Sequence, residues 1–217
     1  MSDFAAARTA MVDCQVRPSD VTRYPIISAM LSVPREEFVP SDMRSVAYAG
    51  EDISLSADRS ILAPRTFAKM LDALALSGNE LVLDIGAGYG YSTAVIAHMA
   101  QAVIGLEEVE SLATAATTAL SAAGADNAVI ETGPLAEGAA AHGPYDAMVV
   151  QGAVEELPQA IVDQLRPDGR IVMLKAEGAL CYAVLGVKGA RGVSWRRIFD
   201  ATAPVLPGFS KAPTFVF

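Results

Sequence analysis

The chain has 217 residues, 52% of them apolar, with a formal net charge of −9 and a mean hydropathy of +0.34. That length and apolar share suffice for one generous domain with a substantial core. The acidic balance excludes a protein that tracks nucleic-acid phosphates, since the strongest basic cluster is only Trp195-Arg196-Arg197, and no apolar run uninterrupted by charge or glycine is long enough for a spanning helix.

Residues 1–50 read as helices. The opening MSDFAAARTAMVDCQVRP has scattered charges and no apolar stretch of the kind a signal peptide needs, so a cytoplasmic location is expected. Tyr24–Leu31 has an apolar face that Val33-Pro34 interrupts, and the proline-bracketed Ser32–Pro40 reads as a turn with a short helical piece. Phe67, Met70, Leu71, Leu74 and Ala75 fall at helical spacing within Arg65–Leu76, and Ser77-Gly78-Asn79 ends that helix. Cys14 and Cys181 lie far apart with no metal-ligand spacing, so two reduced thiols and no metal are expected.

From Leu81 the rhythm becomes strand, turn, helix. Leu81–Ile85, Ala102–Glu107, Ala128–Glu131, Ala147–Val150 and Arg170–Leu174 read as strands. Tyr91–Met99, Ser111–Ala123 and Leu157–Leu165 read as helices between them. Strands of continuous apolar residues alternating with helices imply a parallel sheet covered on both faces. Ala179–Val187, a turn at Lys188–Gly192 and Val193–Phe199 have hairpin grammar, so antiparallel strands should finish the C-terminal edge. The expected architecture is a doubly wound α/β fold whose mostly parallel, seven-stranded sheet carries helices on both faces. Residues 1–78 form a helical extension, and residues 79–217 form the core of the same compact unit.

Between the first strand and its helix stands Asp84-Ile85-Gly86-Ala87-Gly88-Tyr89-Gly90. Glycine permits positive φ and lets a ligand approach bare backbone. About twenty residues on, Glu107 ends the second strand, where a carboxylate can accept hydrogen bonds from both hydroxyls of a ribose. A nucleoside derivative is therefore the expected ligand. The dinucleotide fingerprint G-x-G-x-x-G would place a glycine at residue 91, which is Tyr91, and no Gly-Lys-Ser/Thr follows as a P-loop requires.

This motif pair resembles the S-adenosylmethionine site of Rossmann-like methyltransferases. AMLSVPREEFVP (Ala29–Pro40), Ala47-Tyr48, Ile61 with Pro64, and GPYDAMVVQGAVEELPQAIVDQLRPDGRIV (Gly143–Val172) narrow the resemblance to protein-L-isoaspartate O-methyltransferases, and APVLPGF (Ala203–Phe209) is similar to their closing segment. The resemblance implies S-adenosyl-L-methionine as cofactor and damaged, isoaspartyl proteins or peptides as acceptors; from charge and hydropathy neither nucleic acid nor membrane is expected as a partner, and a monomer is favoured. It implies that Gly86, Gly88 and Gly90 face the methionine end of the cofactor, with Ala87 and Tyr89 also in the cofactor site, where Tyr89 either packs on the cofactor or lines the turn, that Asp84 orients the turn, and that Glu107 holds the ribose. In the family's Thr-Ile-Ser-x-Pro acceptor loop this chain has Ser60-Ile61-Leu62-Ala63-Pro64, so Ser60 keeps a hydroxyl while Leu62 stands at the serine usually called catalytic. At the family's adenine-binding Gly-Asp-Gly it has Gly133-Pro134-Leu135, which puts Pro134 and Leu135 beside the adenine. Arg59 and Arg65 flank the altered loop, and one of them is expected to pair with the acceptor carboxylate. Two alternatives keep the cofactor site: a methyltransferase with another acceptor, and a catalytically silent nucleoside-binding relative.

Overall fold

Apolar side chains on the central strands alternate between two faces, and that alternation builds two separate cores. The computed structural model describes residues 3–212. Helix α1 (Phe4–Met11) is capped by Asp3, whose carboxylate accepts the Ala6 N–H at 3.0 Å. Its winding continues through a π-type turn at Val12–Val16, which buries Val12 and Val16. Helix α2 (Tyr24–Ser32) has Pro25 in its first turn, where a missing N–H costs no helical bond. The proline-bracketed stretch then forms a 3-10 turn at Arg35–Glu37, followed by another at Ser41–Val46. Arg8 of α1 donates to the Tyr48 hydroxyl at 2.9 Å and to Glu36 at 3.0 Å, tying these turns to the first helix.

Strands β1 (Ile53–Ser54) and β2 (Ser60–Ile61) pair antiparallel as a small hairpin that the sequence did not announce. Helix α3 (Pro64–Leu74) follows, ending where Ala75 turns left-handed. The main sheet comprises β3 (Leu81–Ile85), β4 (Ala102–Glu107), β5 (Ala128–Thr132), β6 (Tyr145–Val154), β7 (Leu165–Glu177), β8 (Leu180–Gly189) and β9 (Gly192–Asp200). Their order is β5-β4-β3-β6-β7-β8-β9, parallel through β7 and antiparallel for the last two, as expected. Between strands run α4 (Tyr91–Ala97), α5 (Glu110–Ala122) and α6 (Gln159–Asp163).

One face of the sheet presents Val82, Val103, Ala147, Val149, Val172 and Leu174 to α1, α2, α3 and α4 in a single cluster with Met30, Phe38, Leu62 and Phe67. The opposite face presents Leu83, Ile85, Ile104, Met148, Ile171 and Met173 to Ile161 of α6, to Leu135 and to the C-terminal Leu206 and Phe209. The N-terminal helices are thus the cover of the first face. Strand β3 has β4 on one side and β6 on the other, so connections leave it in opposite directions. A crevice opens at such a switch point, at the carboxyl ends of the strands.

Candidate active site

The turn after β3 needs all three glycines for its backbone path. Gly86, Gly88 and Gly90 have φ of 85°, 59° and 89°, a region costly for residues with a Cβ. The Gly86 and Ala87 N–H groups donate to the Leu106 carbonyl at 2.9 and 3.0 Å, which holds the turn against the end of β4.

Asp84 anchors this turn from below. Its carboxylate is fully buried and accepts from the Ser92 hydroxyl at 2.6 Å, the Thr93 hydroxyl at 2.7 Å and the Gln151 amide at 2.7 Å. Burial pushes its carboxyl above the usual carboxylate range, against the three hydrogen bonds that pull it down. One side chain on β3 thereby fastens α4 and β6. Ser92, Thr93 and Gln151 were not singled out from the sequence. The only signal for them is Gln151, a lone amide inside the apolar run of β6.

Glu107, at the end of β4, is also fully buried, and each of its oxygens already accepts two hydrogen bonds. Oε1 accepts from Arg59 Nη1 at 2.8 Å and from the Val109 N–H at 3.0 Å. Oε2 accepts from Arg59 Nη2 and, at 2.7 Å, from the Gly88 N–H. A carboxylate offers about four acceptor positions, so Glu107 is saturated. Arg59, 3% exposed, reaches it from the hairpin, forming a two-pronged ion pair in the crevice. The partner of Arg59 in this structure is therefore the residue assigned to the ribose, where the sequence suggested an acceptor carboxylate.

The space left at the glycine turn is a cavity of about 10 Å³, lined by Ser60, Leu62, Phe67, Tyr91 and Gln151 among others. That is room for roughly one water. Among the described residues neither the buried Ser60 hydroxyl nor the buried Tyr91 hydroxyl has a hydrogen-bond partner. Burial pushes the Tyr91 phenol up, so it is a neutral group at physiological pH. Leu62, 2% exposed, belongs to the first-face core, and its carbonyl accepts from Arg35 at 3.0 Å. Arg35 is itself buried, donates to the Ala47 carbonyl at 2.8 Å, and lies 4.6 Å over the Tyr91 ring. Arg35 thus ties the proline-bracketed segment to the acceptor loop, a role the sequence hid inside an ordinary-looking turn.

The remaining candidates lie apart from that cavity. Arg65 is exposed in the first turn of α3. Tyr89 lines a groove of about 500 Å³ between Pro34–Val39 and α5, on the outer side of the turn. Pro134 is exposed, while Leu135 starts a 3-10 turn and is buried in the second-face core. The Gly133 N–H donates to the Glu107 carbonyl at 3.1 Å, so this segment does border the crevice wall.

A protein-family profile described as protein-L-isoaspartate(D-aspartate) O-methyltransferase matches residues 7–181. A protein-L-isoaspartate O-methyltransferase 1 of Rhodopseudomonas palustris (strain HaA2) is 40% identical over 172 residues, covering 79% of this chain and 70% of the relative. A protein-L-isoaspartate O-methyltransferase 2 of Anaeromyxobacter sp. (strain Fw109-5) is 38% identical over 186 residues, covering 85% and 76%. In three dimensions, a Plasmodium falciparum structure titled as a putative protein of this kind in complex with S-adenosyl-L-homocysteine superposes with a TM-score of 0.79 at 22% identity, covering 95% of this chain and 99% of the other. That likeness shows the shared fold, and the sequence matches show more: the chain belongs to the protein-L-isoaspartate(D-aspartate) O-methyltransferase family.

Proposed function

We propose that this chain is a cytoplasmic, S-adenosylmethionine-dependent carboxyl O-methyltransferase acting on isoaspartyl residues of damaged proteins or peptides. The observation that carries the reading is the run of three left-handed glycines beside a buried carboxylate on the neighbouring strand. A bare backbone cradle and an acidic group at the tip of the next strand suit a nucleoside with an amino-acid tail. Gly86, Ala87, Gly88 and Gly90 would hold the methionine end, with Tyr89 behind them. Glu107 would hold the ribose, and Pro134 and Leu135 would border the adenine. The donor atoms fit the group, but the space requires opening. A ligand of this size needs several hundred Å³, against about 10 Å³ at the turn.

The cofactor supplies an electrophilic methyl on a sulfonium. The chain's contribution is positioning and exclusion of water. An acceptor carboxylate is ionised at neutral pH, so no general base is required, in keeping with a cavity lined by hydroxyls, an amide and apolar groups. Ser60 has an unpartnered hydroxyl available to orient the acceptor, and the exposed Arg65, the arginine not engaged with Glu107, would neutralise its charge. Leu62 contributes an apolar wall where the family has a hydroxyl.

The test is transfer of a labelled methyl to an isoaspartyl peptide and to its normal aspartyl counterpart. Base-labile label on the isoaspartyl peptide alone is expected, and equal or absent labelling of both would remove the repair assignment. The burial of Leu62 favours one second reading, a methyl acceptor that is apolar and not a peptide. Labelling of such a compound with none on the isoaspartyl peptide would establish it.

A further inference from the structure

Four observations converge on the hairpin formed by β1 and β2. First, its Arg59 places both terminal nitrogens on Glu107 and is almost wholly buried doing so. Second, Glu107 has no acceptor position left, because backbone N–H groups of Gly88 and Val109 take the other two. Third, Leu55 of the same hairpin lies over the turn, with its Cδ1 3.1 Å from where a Cβ on Gly88 would stand, and an Arg59 nitrogen is 3.7 Å from the corresponding point on Gly86. Fourth, the remaining cavity admits no more than a water. The hairpin thus fills the space and engages the carboxylate on which a nucleoside ligand depends.

We infer that Arg59 is an internal counter-ion gating the cofactor site: a nucleoside enters only by exchanging its ribose hydroxyls for the guanidinium on Glu107, with the hairpin swinging out as it does so. The inference rests on the reading that the cofactor binds at the glycine turn. The hairpin is built for such exchange. Its two strands are two residues each, and its tip, Ser56–Asp58, is exposed. The tip is held by local bonds: the Leu55 and Ser56 N–H groups donate to the Arg59 carbonyl at 2.9 and 3.2 Å, and the Ser56 hydroxyl donates to Asp58 at 2.6 Å. The tip can therefore move as a unit: the ion pair holds it over the turn, while Ile53, packed against Val39 and Ala47, anchors the hairpin at its base. That pair resists opening because breaking it strands two buried charges. An entering ligand whose hydroxyls satisfy Glu107 removes half of that penalty, and solvation of the freed guanidinium removes the other half. The gate selects for ligands that offer paired donors at that depth.

The experiment pairs one variant with one measurement on the unaltered protein. Arg59→Met keeps the aliphatic stem in the crevice and removes every donor. By calorimetry it should bind S-adenosyl-L-homocysteine at least tenfold more tightly than the parent. In the parent, trypsin should leave the Arg59–Ser60 bond uncut without ligand and cleave it at saturating S-adenosyl-L-homocysteine, since only an exchanged Arg59 can enter the protease. If Arg59→Met fails to fold, the cleavage assay decides alone. Binding by the parent with Arg59–Ser60 still fully resistant overturns the gate and leaves the cofactor reading standing. Equal or weaker binding by a folded Arg59→Met does the same, making Arg59 a bystander or a ligand contact. Binding by neither protein overturns the cofactor reading and the gate with it.

Discussion

Asp84 offers the sharpest test of how the turn is held. Asp84→Ala removes three hydrogen bonds of 2.6–2.7 Å and strands the Ser92, Thr93 and Gln151 donors, all buried. Each bond contributes about 1 kcal/mol to a neutral carboxyl and about 1.5–3 kcal/mol to an ionised one. The sum overstates the loss, because the variant also relieves the cost of keeping a carboxylate out of water, the same cost that raises its pKa. A net loss of about 3–5 kcal/mol is expected, a large part of the roughly 5–15 kcal/mol that holds a domain folded. Urea unfolding at pH 7 measures it. The pH dependence supplies an independent check through Asp84→Asn. With the folded carboxyl above its ordinary value of 3.8, the native state holds the proton more tightly than the unfolded chain. The stability from this group is therefore complete below that value and is lost as pH rises through the folded one. Asp84→Asn, which cannot titrate, should gain on the parent as pH rises from about 4 towards neutrality. A loss below about 1 kcal/mol in Asp84→Ala, or a parent-to-Asn difference flat across that window, would refute the clamp.

Gly90→Ala puts a methyl 3.1 Å from the Ala116 side chain and 3.4 Å from its Cα at φ 89°, forcing α4 from α5. It should cost about 2–4 kcal/mol and lower Tm by about 5–15 °C. Gly124→Ala, at φ 67° with nothing within 4 Å, should cost only about 1 kcal/mol in the same calorimetric scan. Arg35→Ala leaves the Ala47 and Leu62 carbonyls without their buried donor and should cost about 3 kcal/mol or more in chemical unfolding. With Ellman's reagent, exposed Cys14 should react fast and Cys181 slowly, because burial pushes the Cys181 thiol up. Cys14→Ser should abolish the fast phase.

The sheet was legible because its strands are buried on both faces and its turns are marked by glycine. Edges were less so. Only Arg170–Leu174 read as strand, whereas β7 runs from Leu165 to Glu177, its ends stabilised by pairing with β6 and β8 that no local pattern reveals. The helix expected at Leu157–Leu165 shrank to Gln159–Asp163, since Leu165 pairs with Tyr145 of β6. The glycine turn, Glu107 and Arg59 were all visible as candidates. Their mutual arrangement was not, because Arg59 and Glu107 are 48 residues apart and meet only through a hairpin too short to show alternation. Asp84's partners on α4 were read as ordinary helix residues for the same reason: a hydrogen bond across elements leaves no periodicity.

The N-terminal helices share one continuous apolar interior with the sheet, from Met11 and Met30 through Phe38 and Leu62 to Val82, Val149 and Val172. Peeling them away would wet a whole side of the molecule, so they cannot serve as a door without melting the house. If the proposed cofactor site opens, the movement falls to the small flap between Ile53 and Ile61, whose tip at Ser56–Asp58 is solvated. Speed of ligand entry should accordingly follow changes in that flap and ignore surface changes on α1 and α2.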